Sequence, residues 1–166
     1  PTFEKNIITP FSHLKIKKYT NKIISKPSKP KLSIWPQFFI HHNNNTDYDE
    51  DSCLCMILKW GQAWGEFMLD IYPYIYFCKE LLDNNPNIKI ITKTPNFDSH
   101  DFLIKYLDIN NDIIYLKDLE SLKIKNLYII ETIGPYASGL FPYQAYGNIP
   151  VCLYRKTYNY LQNKLN

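Results

Sequence analysis

The sequence predicts an α/β fold, a three-layer domain with a mostly parallel sheet. Three observations predict it. Short β-branched runs recur between residues 88 and 133, stretches of helical spacing separate such runs, and 166 residues are the length of one ordinary domain with its own core. Hydrophobic residues make up 45% of the chain and charged residues 21%, with 14 Tyr and 9 Phe, so a disordered chain is excluded.

Residues 1–31 read as a basic extended arm. Eight Lys stand against Glu4 through residue 32, Pro10, Pro27 and Pro30 punctuate the segment, and its apolar residues keep no long period. A solvated lead-in is the default for such a segment, and polyanion binding is the sharper possibility. It lacks the interleaved aromatics of a nucleic-acid surface, so no specific nucleic-acid partner is expected. The chain opens on Pro1 rather than Met, and its true start is expected upstream.

The domain proper is expected over residues 32–166. Residues 34–41 give a short aromatic strand, 42–52 a polar acidic loop, and CLCMIL at 53–58 a buried strand. From 64 to 82 the pattern turns helical, because Phe67, Ile71, Tyr74, Ile75, Cys78, Leu81 and Leu82 recur at spacings of three and four. Asp83, Asn84, Asn85 and Pro86 stop it. IKIIT at 88–92 is a strand, Asp98 or Ser99 can cap a helix over 100–107, DIIYL at 112–116 is a strand, and LYIIETI at 127–133 is another. A last helix over 151–164 sets Leu153, Leu161 and Leu165 along one face. Strand, helix, strand, helix, strand is the signature of a parallel sheet with helices on its faces, an architecture that is Rossmann-like.

GPYASGLFPYQAYGNIP, residues 134–150, follows the C-terminal end of a predicted strand. Open α/β sheets bind ligands at that edge, which makes Tyr136 and Ser138 candidate binding residues. No G-x-G-x-x-G follows a strand and no P-loop occurs, so a dinucleotide dehydrogenase or P-loop enzyme is disfavoured. Gly61 and Gly65 form only a G-x-x-x-G, a turn or close-packing device. Cys53, Cys55, Cys78 and Cys152 fit neither a disulfide scaffold nor a zinc spacing, so thiols in a reducing compartment are the default. His41 and His42 alternate across a strand, and the acidic run Asp47, Asp49, Glu50, Asp51 lacks the glycine of a calcium loop, so no metal is expected. The longest apolar run, 71–77, falls far short of the roughly 18 to 20 residues of a membrane span.

WGQAWGEFMLDIYPYIYF, residues 60–77, concentrates the chemistry. Glu66 and Asp70, four residues apart, share one helical face near a helix start, where the macrodipole favours negative charge. The pair is either charge complementarity alone or a cleft-facing set, in which one carboxylate acts as general base or holds sugar hydroxyls.

Taken together, residues 60–132 resemble the N-terminal half of glycosyltransferase family 61. The resemblance is carried by GEFMLDIYPYIYFCKELL, followed by IKIIT, DFLIKYLDIN, DIIYLKD and KNLYIIET. Phe67, Met68, Leu69, Asp70 and Pro73 fall in register with the family motif, which makes the proline part of the pattern. Glu66 stands where the family has His, Tyr74 where it has Arg, and the family's glycine-rich donor loop has no counterpart in these residues. The resemblance implies the acceptor-side domain of a GT-B glycosyltransferase. It also implies inverting transfer of a sugar from a nucleotide-sugar donor to a hydroxyl of a carbohydrate or glycoprotein acceptor. Glu66 or Asp70 is then the candidate base, with Trp60, Trp64, Gly65, Tyr136 and Ser138 as substrate-binding residues. This chain would hold no cofactor of its own, and the nucleotide-sugar would sit mainly on a further C-terminal domain. The alternative is a catalytically inactive Rossmann-like module used for protein assembly or polyanion binding.

Overall fold

Strands β1 (Leu14–Ser25), β2 (Phe39–His42), β3 (Glu50–Cys55), β4 (Lys89–Thr92), β5 (Ile113–Tyr115) and β6 (Ser121–Thr132) join in one sheet of order β2-β1-β6-β3-β4-β5. The computed structural model describes residues 14–25, 39–56, 64–92, 94–117, 120–132 and 151–166. β6, β3, β4 and β5 are mutually parallel, while β1 is antiparallel to β6 and β2 to β1. The fold is therefore α/β, with a mostly parallel mixed sheet compatible with a Rossmann-like architecture.

Helical structure follows β3 and β4, as the alternating pattern requires, and a longer helix follows β6. The run after β3 comprises α1 (Trp64–Glu66), a π-helical turn over Phe67–Ile71, α2 (Tyr72–Phe77) and α3 (Lys79–Asp83). α4 (His100–Lys105) links β4 to β5, and α5 (Val151–Leu165) closes the chain. The π turn sits just ahead of Pro73. A proline offers no N–H and its ring clashes with the carbonyl four residues back, and a widened turn relieves both problems. Ser99 holds the N-cap position of α4 but makes no side-chain capping bond, so the expected cap is positional only. Leu153 is fully buried and Leu161 packs against the core, whereas Leu165 is 72% exposed because it is the last helical residue, beyond the core's reach.

Two apolar clusters flank the sheet. The first joins Leu14, Leu54, Ile90 and Ile130 to Phe67, Ile71, Ile75, Leu82, Ile104 and Leu153, and so lies between the sheet and the helices. The second is built from strands and the segment after β5: Ile24, Cys53, Cys55, Ile91, Leu116, Ile124 and Leu127, with Ile40 and Leu122 against them. No described helix residue enters this second cluster, so the third layer predicted from the sequence is not found among the described residues.

Residues 14–25, assigned from sequence to the basic arm, are a sheet strand paired with β6 from Leu14↔Thr132 to Ser25↔Ser121. The boundary expected at residue 31 is therefore moved. Strict alternation would put Leu14, Ile16 and Ile24 on one face, yet Ile24 belongs to the second cluster and the other two to the first. The change of face falls around Asn21, which takes φ 53°, and across from it β6 switches in the same way between Ile124 and Tyr128. Asn21 is held there by the Tyr48 hydroxyl, which donates to its Oδ1 at 2.6 Å, and by Asn43 N–H, which donates to its carbonyl at 2.7 Å. The acidic loop predicted to run to residue 52 ends earlier, since Glu50 and Asp51 belong to β3.

Candidate functional site

The chain passes from β3 to β4 to β5 in one direction across the sheet, then returns to the other side of β3 to form β6. The strand order thus reverses between β3 and β6, and the crevice outside the C-terminal ends of parallel strands at such a reversal is the ligand position of open α/β sheets. Residues 57–63 and 133–150 follow those two strands, so the candidate residues Trp60, Tyr136 and Ser138 lie outside the described residues. Trp64 opens the helical run after β3 and is half exposed. Gly65 is exposed, and a Cβ there would meet no described atom within 4 Å, so of the two readings of G-x-x-x-G, a turn or a close-packing device, close packing is not seen at Gly65 among the described residues. Glu66 ends α1 and Asp70 lies in the π turn, while their side chains are outside the described set.

Beside this helix head the structure assembles a polar cluster from two further elements. His100 is the first residue of α4, Asp101 the second, and Tyr115 the last residue of β5. The Tyr115 hydroxyl donates to Asp101 Oδ1 and lies 3.0 Å from His100 Nδ1, which is itself 3.3 Å from Asp101 Oδ1. His100 is 2% exposed, and its Nε2 is buried with no hydrogen-bond partner among the described residues. Burial lowers the imidazole pKa from its ordinary 6.5, opposed by the hydrogen bond and charge of Asp101, so the ring is held toward its neutral form. Burial, with Asp101 beside it, pushes the Tyr115 phenol well above its ordinary range, which keeps it protonated and a donor.

Aromatic rings enclose the imidazole. Phe67 lies 4.5 Å from it between centroids, Phe97 5.7 Å and Tyr115 5.6 Å. Phe97 also meets Phe67 at 5.5 Å and Trp64, edge-on, at 5.6 Å. A continuous series of rings therefore leads from the exposed Trp64 to the buried His100. His100, Asp101, Tyr115 and Phe97 were not among the sequence candidates. The signal that would have found them is position: SHD comes after the IKIIT strand and Tyr115 lies near the end of the DIIYL strand, both at the edge where open α/β sheets bind ligands.

The opposite edge carries a cleft of about 460 Å³ lined by Tyr48, Asp49, Glu50, Asp51, Lys89 and Asp112. Three of its acids are engaged by the sheet itself: Lys89 Nζ donates to Glu50 at 2.9 Å, Asp49 accepts the Lys123 N–H at 2.8 Å, and Asp51 lies 3.7 Å from Lys125. Among the described residues no three His, Cys, Asp or Glu side chains converge to hold a metal. None of the described helices is long and apolar enough to cross a membrane. Comparison with protein-family models, curated proteins and solved structures gives no match to this chain.

Proposed function

We propose that this α/β domain is the acceptor-side half of an inverting glycosyltransferase of the GT-B kind, similar to family 61. The observation that carries the proposal is the position of the helix head with Trp64, Glu66 and Asp70: it follows β3, the strand beside which the sheet order reverses. An exposed Trp and a train of rings suit the apolar face of a sugar, and carboxylates suit its hydroxyls. In the reaction, the carboxylate of Glu66 or Asp70 takes the proton of the acceptor hydroxyl as its oxygen bonds to the sugar's anomeric carbon. The bond from that carbon to phosphate breaks, and the nucleoside diphosphate leaves with the electron pair.

The full-length protein, supplied with a panel of nucleotide-sugars and hydroxyl acceptors, is expected to transfer sugar. Glu66→Gln and Asp70→Asn should each lower turnover, the true base by about a hundredfold or more. Full activity in both variants removes the carboxylates as base. Absence of transfer from every donor removes the enzyme and selects an inactive module.

A further inference from the structure

We propose that His100 Nε2 is the hydrogen-bond acceptor for a hydroxyl of the sugar acceptor, a recognition contact at the C-terminal edge of the sheet; this rests on the glycosyltransferase proposal above.

The tautomer follows from counting protons. Tyr115 has one hydroxyl proton and gives it to Asp101. His100 Nδ1 therefore faces two acceptors, the Tyr115 oxygen at 3.0 Å and Asp101 Oδ1 at 3.3 Å, and is bonded to them only if it carries the ring proton. In a neutral ring that leaves Nε2 as a bare lone pair. This nitrogen is one of two buried side-chain polar atoms without a partner among the described residues; the other, Tyr72 Oη, is on α2 and carries its own proton.

A lone pair fixed in direction by a tyrosine and a carboxylate, and walled by Phe67 and Phe97, takes an O–H donor from a molecule that also has an apolar face. A pyranose ring meets both demands, with hydroxyls at its rim and C–H bonds on its faces. Phe97 contacts both the imidazole and the exposed Trp64, so a sugar stacked on Trp64 reaches His100 past this one ring. His100 binds the acceptor in this scheme, and the proton still leaves to Glu66 or Asp70.

Imidazole ¹⁵N spectra of the full chain test this directly. At neutral pH His100 should show the Nδ1–H tautomer, and methyl β-D-xylopyranoside or methyl β-D-glucopyranoside should shift its Nε2 resonance. His100→Phe, which keeps a ring in the aromatic cage but no acceptor, should weaken glycoside binding about tenfold. Asp101→Ala, which frees the Tyr115 hydroxyl to donate to Nδ1, should move the tautomer population toward Nε2–H, an effect that a packing role alone does not produce. An Nε2–H ring or an imidazolium in the wild-type chain overturns the proposal, and so does glycoside binding, or its absence, with the Nε2 resonance unmoved. Failure of the glycosyltransferase proposal is separate: glycosides shift Nε2 while no nucleotide-sugar is turned over.

Discussion

The Tyr115 hydroxyl stands 3.0 Å from His100 Nδ1 while donating its own proton to Asp101, so a strand end and a helix start are joined through an imidazole. The join fixes the protonation state of a ring that is 2% exposed, and that has a thermodynamic consequence. Burial holds the His100 pKa below 6.5 in the folded chain despite the opposing Asp101, whereas unfolding returns it to about 6.5. Between those two values the unfolded chain binds more protons, so stability falls as pH drops below about 6.5 and is level above it. Urea unfolding of wild type and His100→Phe across about pH 5 to 8 should show a stability difference that is flat at the alkaline end. At the acid end it should turn against the wild type. A difference that stays constant throughout would mean that the imidazole is not buried neutral.

The helical run from Trp64 was legible because its apolar residues keep one face over several turns, and the strands at 88–92, 112–116 and 127–133 because β-branched runs with clear stops resist other assignments. β1 was not. Its alternation changes face around Asn21, so the two halves cancel in any single-period count, and its eleven partners on β6 lie more than ninety residues away. The cluster of His100, Phe67 and Tyr115 was hidden for a related reason. Each residue looks ordinary in its own segment, and only the sheet order brings the segments together.

Asn111 shows what a single buried amide can hold in place. Its Nδ2 donates toward the carbonyls of Ile88 at 2.8 Å, Asn85 at 3.1 Å and Pro86 at 3.3 Å, and so fixes the turn that feeds β4 from the segment that feeds β5. Asn111→Ala should cost about 2 kcal/mol, since it leaves those carbonyls short of a donor. Asn111→Asp should cost more, because a carboxylate would face carbonyl oxygens. Chemical denaturation decides the order, and an Asp variant as stable as the wild type refutes the assignment.

Cys53 and Cys78 are buried thiols whose pKa values are raised chiefly by desolvation, Cys53 to about 12 and Cys78 further. The thiolate is the reactive form, so both should label only as fast as the chain opens. Alkylation resolved by site in mass spectra should therefore show both cysteines speeding up together with added denaturant. Rapid labelling of either in the native chain contradicts their placement.

Pro73 and Tyr158 offer the sharpest test of the helix that carries Glu66 and Asp70 at its head. Met68 lies five residues before Pro73 in a π-helical turn, the spacing at which a backbone N–H would normally meet its carbonyl, and Pro73 has none to give. The Tyr158 hydroxyl of α5 donates to that carbonyl instead, at 2.9 Å. Tyr158→Phe should therefore cost about 1 kcal/mol in the native sequence. Pro73→Ala restores an N–H but removes buried ring carbons, so it should leave stability unchanged or lower by about 1 kcal/mol, and not raise it by the roughly 3 kcal/mol that a mid-helix proline costs. In the Pro73→Ala background the Met68 carbonyl has a second donor within reach, and Tyr158→Phe should then cost less than about 0.5 kcal/mol. A double-mutant cycle measures that coupling. Strict additivity would show that the tyrosine does not stand in for the missing N–H, and that the π turn ahead of Pro73 is held by packing alone.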